Sequence, residues 1–322
     1  MLVTYRPATI DDAALAADLM TAAYPALAQD PALTRLRWET PRKGFVYGRF
    51  IAEELGRPIA YVAWVHGPWQ DVPDMHCEVE VWLDRNALDR ARYESLWGWI
   101  SDQAVAEGSA VLLAYSAEDE VESLAALASL GFEPKRAERV WELDLKVHGP
   151  RLVAAAREAR RKMAEADITL EPLAAWRDPD KARKLYELNE QTVQDIPHTL
   201  HIVREAYEDF VERLNWPDRP HDRYWIARHG DRPVALTYLK FPPVRGTVWT
   251  GYTCTDAEYR GRGIARAVKL QSLAQAVALG VPVVCTDNDS ENAPMLHINE
   301  RLGYVRRPAF IEHHKRVRNQ DA

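Results

Sequence analysis

The chain has 322 residues, 47% hydrophobic and 28% charged, with a formal net charge of -7. That composition fits a soluble globular protein of about two domains, and the acidic balance excludes broad binding to nucleic acid or to an anionic membrane while leaving room for a local basic pocket. Cys77, Cys254 and Cys285 stand far apart without a CxxC, no leader pattern opens the sequence, and no apolar run reaches a membrane span, so a cytoplasmic protein is expected.

The first half opens on a short strand at VTYRP and a helix over IDDAALAADLMTAAY, with Asp11 or Asp12 as its cap. FVYGRFIAEELGRPIAYVAWV reads as two strands around a turn at Glu54 to Pro58, and EVEVWL as a third. A helix from Leu88 to Glu107 ends at Gly108, AVLLAYS is a buried strand, EVESLAALASLGF is a helix closing on Gly131, and RVWELDL is a last strand. His148-Gly149-Pro150 signals a break, and RLVAAAREARRKMAEAD predicts a connecting helix with a solvated face.

The second half repeats the programme. ITLEPL is a strand, PDKARKLYELNEQTVQ a helix, DRYWIARHGDRPVALTYLKF two strands, and TVWTGYTCT another strand. GRGIARAVKLQSLAQAVALG is a helix ending on Gly280, VPVVCTDN a strand, and ENAPMLHINERLGY a helix ending on Gly303. Gly108 and Gly280 are 172 residues apart, as are Gly131 and Gly303 (280 − 108 and 303 − 131). GRPIAY and DRPVAL align at an offset of 175. Such self-similarity predicts two copies of one α/β unit with a mixed sheet: residues 1–148, a linker helix over 149–167, and residues 168–322.

Charge and bare backbone concentrate at YRGRGIARAVK, Tyr259 to Lys269. Glycines at a helix start let backbone N–H groups approach an anion, and the helix dipole favours it. A phosphate-binding P-loop would need Lys-Ser/Thr after its last glycine, where Ile264 and Ala265 stand; a dinucleotide GxGxxG would need glycine at Arg266. Arg260-x-x-Gly263-x-Ala265 after a strand resembles the acyl-CoA pyrophosphate loop of the GNAT superfamily of N-acyltransferases. The joined block from Thr250 to Tyr304, with its Leu-Gly-aromatic ending, is similar to that family's strand–loop–helix–strand–helix run.

The resemblance implies tandem GNAT-like units with mixed, mostly antiparallel sheets flanked by helices. It implies acetyl-CoA as cosubstrate, with pantetheine along Thr253, Cys254 and Thr255 and pyrophosphate on the loop Arg260, Gly261, Arg262, Gly263, Ile264 and Ala265. Asn288 and Asn292 stand where the family often contacts the cofactor arm; turn and helix-start roles are the alternative. Arg266 and Lys269 read as a solvated helix face, and Cys254 and Cys285 as small core residues. In the first copy Leu88, Asp89, Ala91 and Tyr93 replace Arg260, Gly261, Gly263 and Ala265. Bulk and an anion then stand where the pyrophosphate belongs, so residues 1–148 are expected to keep the fold without binding CoA in the usual way. The tryptophans Trp64, Trp69, Trp82, Trp97 and Trp99 of this copy read as core.

Many members protonate the leaving thiolate from a tyrosine whose place here is Asn299. Tyr252 is a substitute, Tyr304 a less favoured one. The segment NEQTVQDIPHTLHIVRE lies where the fold builds its acceptor site and offers Glu190, Asp195, His198 and His201; Asp195 ranks first as base and His198 second, against a turn-capping role for Asp195. The expectation is an N-acetyltransferase acting on the amine of a small molecule, with no nucleic acid, membrane or metal partner. A non-catalytic acetyl-CoA sensor is the alternative that Asn299 raises. No HExxH or GxSxG is present, and His313-His314 lacks companions at metal spacing.

Overall fold

The computed structural model describes residues 3–317. The first half contributes β1 (Val3–Pro7), α1 (Ala13–Ala23), α2 (Pro31–Glu39), β2 (Val46–Glu54), β3 (Arg57–His66), β4 (His76–Leu83), α3 (Arg90–Ala106), β5 (Val111–Ala117), α4 (Val121–Ser129) and β6 (Glu133–Asp144). The long α5 (Leu145–Glu165) leads to β7 (Ile168–Pro172), α6 (Lys181–Val193), α7 (Tyr207–Leu214), β8 (Tyr224–His229), β9 (Arg232–Lys240) and β10 (Val248–Thr255). The chain closes with α8 (Ile264–Ala278), β11 (Val283–Asp289), α9 (Ala293–Leu302), β12 (Val305–Arg306) and β13 (Phe310–Arg316).

One mixed sheet runs through the molecule in the order β1-β2-β3-β4-β5-β13-β6-β11-β10-β9-β8-β7. Strand alternation sets its two faces. On β4, Cys77, Val79, Val81 and Leu83 are buried against α3 and α4, while Glu78 and Glu80 point to the opposite face. That opposite face carries α1 over Ile51, Tyr61 and Ala63, and α6 with α7 over Ile226, Leu236 and Tyr238. The α8 side is a second large core, with Ile264, Val268 and Leu273 on Val234, Ala235 and Val284.

The halves exchange their last strands. β6 pairs with β11, and β13 inserts between β5 and β6. At the 172-residue offset, Phe310 pairs with its own counterpart Glu138, and the Leu113–His314 pair maps onto Cys285–Glu142. A pseudo-twofold axis therefore passes between β6 and β13. The two sequence copies do not each close their own sheet, and the cut at residue 148 leaves β13 behind in the other half. Arg136 on β6 fastens the exchange with ion pairs to Asp289 at 2.8 Å and Glu312 at 2.7 Å.

His148-Gly149-Pro150 does not break the chain: α5 starts at Leu145 and carries Pro150 inside it. Asp144 caps it, accepting from Lys146 N at 2.8 Å and Val147 N at 3.1 Å. Its apolar stripe, Leu152, Ala156, Ala159 and Met163, packs on the α8 core, a few kcal/mol of burial that outweighs one lost helix hydrogen bond. The helices α2 and α7 and the strand β13 are additions to the sequence reading. The first-copy tryptophans pack as expected: Trp97 is buried, Trp99 stacks on Tyr5 at 3.8 Å, and Trp69 stacks on His66 at 3.7 Å.

Candidate active site

β10 and β11 are parallel and pair only at Val248–Val284 and Trp249–Cys285. From Thr250 onward they part and leave a fork. β10 also slips register against β9 between Thr250 and Tyr252. Gly251 sits at that bulge, where a Cβ would lie 2.0 Å from a Tyr238 ring carbon, so only glycine fits. Beyond the bulge, the β10 edge turned toward β11 has lost its strand partner and offers main-chain groups to an amide ligand.

The loop after β10 is open backbone. Gly261 and Gly263 take φ of 76° and 77°, the left-handed region, with nothing within 4 Å of where a Cβ would stand. Gly263 caps α8 without any side-chain hydrogen bond, so the first-turn N–H groups of Ile264 and Ala265 face solvent space. Arg260 is anchored by its Nε to Thr255 O at 3.2 Å, and Arg262 by its Nη2 to Glu258 O at 3.1 Å.

The expected cofactor residues therefore share one place, with distinct duties. Cys254 is buried, and burial pushes its thiol up to about 12. The Thr253 hydroxyl bonds Thr237 at 2.7 Å. Asn292 caps α9, accepting from Met295 N at 3.3 Å. Asn288 accepts from Asn299 Nδ2 at 2.5 Å, which leaves the Asn288 amide N–H₂ free.

Of the expected bases, Asp195 pairs with Arg260, both half-exposed, and its charge is felt by Tyr252. His198 is exposed and its Nδ1 bonds Ile196 O at 2.9 Å. Tyr252 lines the cavity beneath residues 189–205. Its hydroxyl donates to Thr192 at 3.1 Å, and burial pushes it up from its ordinary range.

Tyr252 and Gly251 border a cavity of about 350 Å³, roofed by residues 189–205. A second cavity of about 310 Å³ reaches into the first half and shares Arg42, Glu205 and Arg213 with it. Glu190 and Glu205 are neutralised by Arg204 and Arg213. The first half and the inserted β13 fasten the roof: Arg136 and Arg42 donate to the Pro197 and Val203 carbonyls, His201 N bonds Asp74 at 3.1 Å, and Thr199 bonds Glu312 of β13. The first half also holds the β9–β10 loop, where Asp30 accepts from Val244 N and Arg245 N at 2.6 and 3.0 Å.

Sequence reading missed the groups on the sheet between the halves. Glu78, Glu138 and Asp287 lie there without ion pairs among the described residues. Burial raises all three, Glu138 to about 7 and Glu78 to about 8. Asp287 is surrounded by protein yet reached by solvent, as on a cleft floor, and feels the ammonium groups of Lys240 and Lys269. Lys269 corrects the solvated-face expectation: it is 2% exposed, turned into the α8 core, and Arg266 is half-buried.

In the first half the corresponding place is filled. Asp89 caps α3 with its own carboxylate, accepting from Arg92 N at 3.2 Å. The Tyr93 hydroxyl donates to Glu120 at 3.1 Å, and Glu120 holds the place of Asn292 at the 172-residue offset.

Residues 182–304, the span that carries the fork, loop and α9, match the Acetyltransferase (GNAT) family. Over that span the chain is similar to the GNAT acetyltransferases, and the match supports an acyltransferase. The N-alpha-acetyltransferase 30 of Schizosaccharomyces pombe is 29% identical over 110 residues, 32% of this chain and 71% of that protein. A tandem GNAT protein from the clavulanic acid biosynthesis pathway superposes with a TM-score of 0.75 at 17% identity, over 99% of this chain and 100% of that one. An N-acetyltransferase from Sphaerobacter thermophilus does so with a TM-score of 0.70 at 19% identity, over 98% and 96%. These two share the fold of this chain across both halves. No helix among the described residues is long and apolar enough to cross a membrane.

Proposed function

We propose that the protein transfers acetyl from acetyl-CoA to the amine of a small cationic molecule, by direct attack within a ternary complex. The observation that carries this reading is the fork of β10 and β11 opening onto an uncapped α8 behind Gly261 and Gly263. Free N–H groups at a helix start hold a pyrophosphate, and the unpaired edge of β10 suits the amides of pantetheine. Residues 168–322 hold this site. Residues 1–148 hold none, because Asp89, Tyr93 and Glu120 already occupy the anion place.

The acceptor enters from the cleft. Its fastened roof and cavities of about 350 and 310 Å³ favour a small molecule over a folded protein. The carboxyl groups of Glu78, Glu138 and Asp287, without ion pairs among the described residues, favour a cation, whose arrival would ionise the protonated ones. Asp287, raised by burial and set just past the β10–β11 pairing, takes the proton from the attacking nitrogen, directly or through water. Backbone N–H groups beyond the Gly251 bulge meet the charge that develops on the acyl oxygen.

The test is calorimetric titration with acetyl-CoA, followed by CoA release across a panel of diamines, aminosugars and α-amino compounds. One site per chain and thiol release with a diamine or aminosugar support the reading. Binding without release from any amine sinks the transferase part of it, and release only with peptide amino termini sinks the small-molecule acceptor.

A further inference from the structure

We propose that Lys269 donates the proton to the departing CoA sulfur; this rests on the acetyl-CoA reading above. Among the described residues, Lys269 Nζ and Asn299 Oδ1 are buried without a hydrogen-bond partner, and Tyr304 Oη and Thr250 Oγ1 have at most each other. Lys269, Thr250 and Tyr304 converge from α8, β10 and the residue behind α9, with Asn299 joined to Tyr304 through the main chain. Lys269 Nζ lies 5.6 Å from the Tyr304 ring centre, the Thr250 hydroxyl neighbours the Tyr304 phenol, and Tyr304 N bonds Asn299 O at 3.1 Å. Thr250 is the first β10 residue past the last β10–β11 pair, so this cluster stands at the vertex of the fork.

Thr255, at the phosphate-loop end of β10, lies five residues from Thr250, about 17 Å at ~3.4 Å per residue. A pantetheine arm laid along that edge brings its sulfur to the vertex. A solvent-excluded ammonium without an acceptor is costly for a fold to keep, and a thiolate is the acceptor it lacks. Asn299, on the same cluster, has no proton to give at neutral pH.

The step balances. The acceptor nitrogen bonds to the acyl carbon, and the carbon–sulfur bond breaks with its electron pair going to sulfur. Lys269 passes one proton to that sulfur. The proton lost by nitrogen goes to Asp287, and exchange with water restores Lys269 ammonium and Asp287 carboxylate. Burial pushes Lys269 down to about 8, with Asp287 opposing, so the ammonium is both populated and acidic enough near neutrality. The titratable groups facing this spot are Asp287 and Cys285 from β11 and Tyr304 behind α9; Lys240 from β9 acts on it through Asp287.

The experiment titrates the thiol of enzyme-bound CoA by its ultraviolet thiolate absorbance, beside calorimetric CoA affinity and kcat, in wild type, Lys269→Met and Lys269→Arg. Wild type should hold the bound thiol at least about one unit below the value of free CoA measured alongside. Lys269→Met should return it to that value or above and lose about 100-fold in kcat. Lys269→Arg should keep the lowered thiol yet lose kcat similarly, since guanidinium stays charged. A thiol pKa equal in wild type and Lys269→Met, with CoA affinity intact, overturns the role of Lys269. Failure of wild type to bind CoA overturns the cosubstrate reading, and this inference with it.

Discussion

The loop from β4 to α3 and the loop from β10 to α8 descend from one plan and have opposite endings. In the first, Asp89 supplies a carboxylate to its own helix start, and Tyr93 with Glu120 fills the space behind. In the second, two left-handed glycines leave that helix start bare and open. The same backbone N–H groups are spent internally in one copy and offered outward in the other. The first copy, with that place filled, is not idle: it closes the shared sheet and fastens the segment over the cavity.

The largest expected effect breaks the comparison at its centre. Gly263→Glu puts bulk and negative charge on the anion site and should cost at least about 100-fold in acetyl-CoA affinity, ~2.7 kcal/mol. The matching Ala91→Glu should leave calorimetric affinity unchanged; a loss there would show that the first copy does bind CoA. Arg136→Ala strands Asp289 and Glu312, which are 5% and 1% exposed, and should cost about 3–5 kcal/mol in urea unfolding. A smaller cost would mean that the exchanged strands hold by backbone pairing alone.

The same site sets an acid limit. Hydrogen bonds from His314, Thr199 and Arg136 hold the Glu312 carboxyl down at about 2 despite its burial. Its folded value lies below its unfolded one, so its stabilising contribution is full above about pH 4.3 and is lost as pH falls toward 2. Glu312→Gln should flatten that limb of the stability–pH curve. Asp287→Asn should lower kcat about 100-fold at constant acetyl-CoA affinity. Arg42→Ala, which releases the Val203 carbonyl, should raise the acceptor KM by about 5-fold with kcat nearly kept. That variant measures how much the first copy matters to substrate binding.

The loop and fork were legible in the sequence because phosphate recognition at a helix start is local: a strand, two glycines and a small-residue helix suffice. The proposed acid–base groups were not. Lys269 reads as a surface lysine until Tyr304 and β11 close over it, and Asp287 reads as a strand-end polar residue until β10 departs from its side. Asp195 was legible as an ionisable residue of the 189–205 segment, but its ion pair with Arg260, 65 residues away, was not. The repeat was legible to the residue, but β13 was not, because the strands that flank it belong to the first half.

Strand exchange also sets a clock. Leu113 on β5 waits for His314, about 200 residues later in synthesis. At roughly 5–20 residues per second, that edge stands unpaired for about 10–40 seconds on the ribosome. During that interval β5 is an open template for another chain. A nascent chain of this protein should therefore lean on chaperones through its second half, and shortening it by the last strand should harm the first copy before the second.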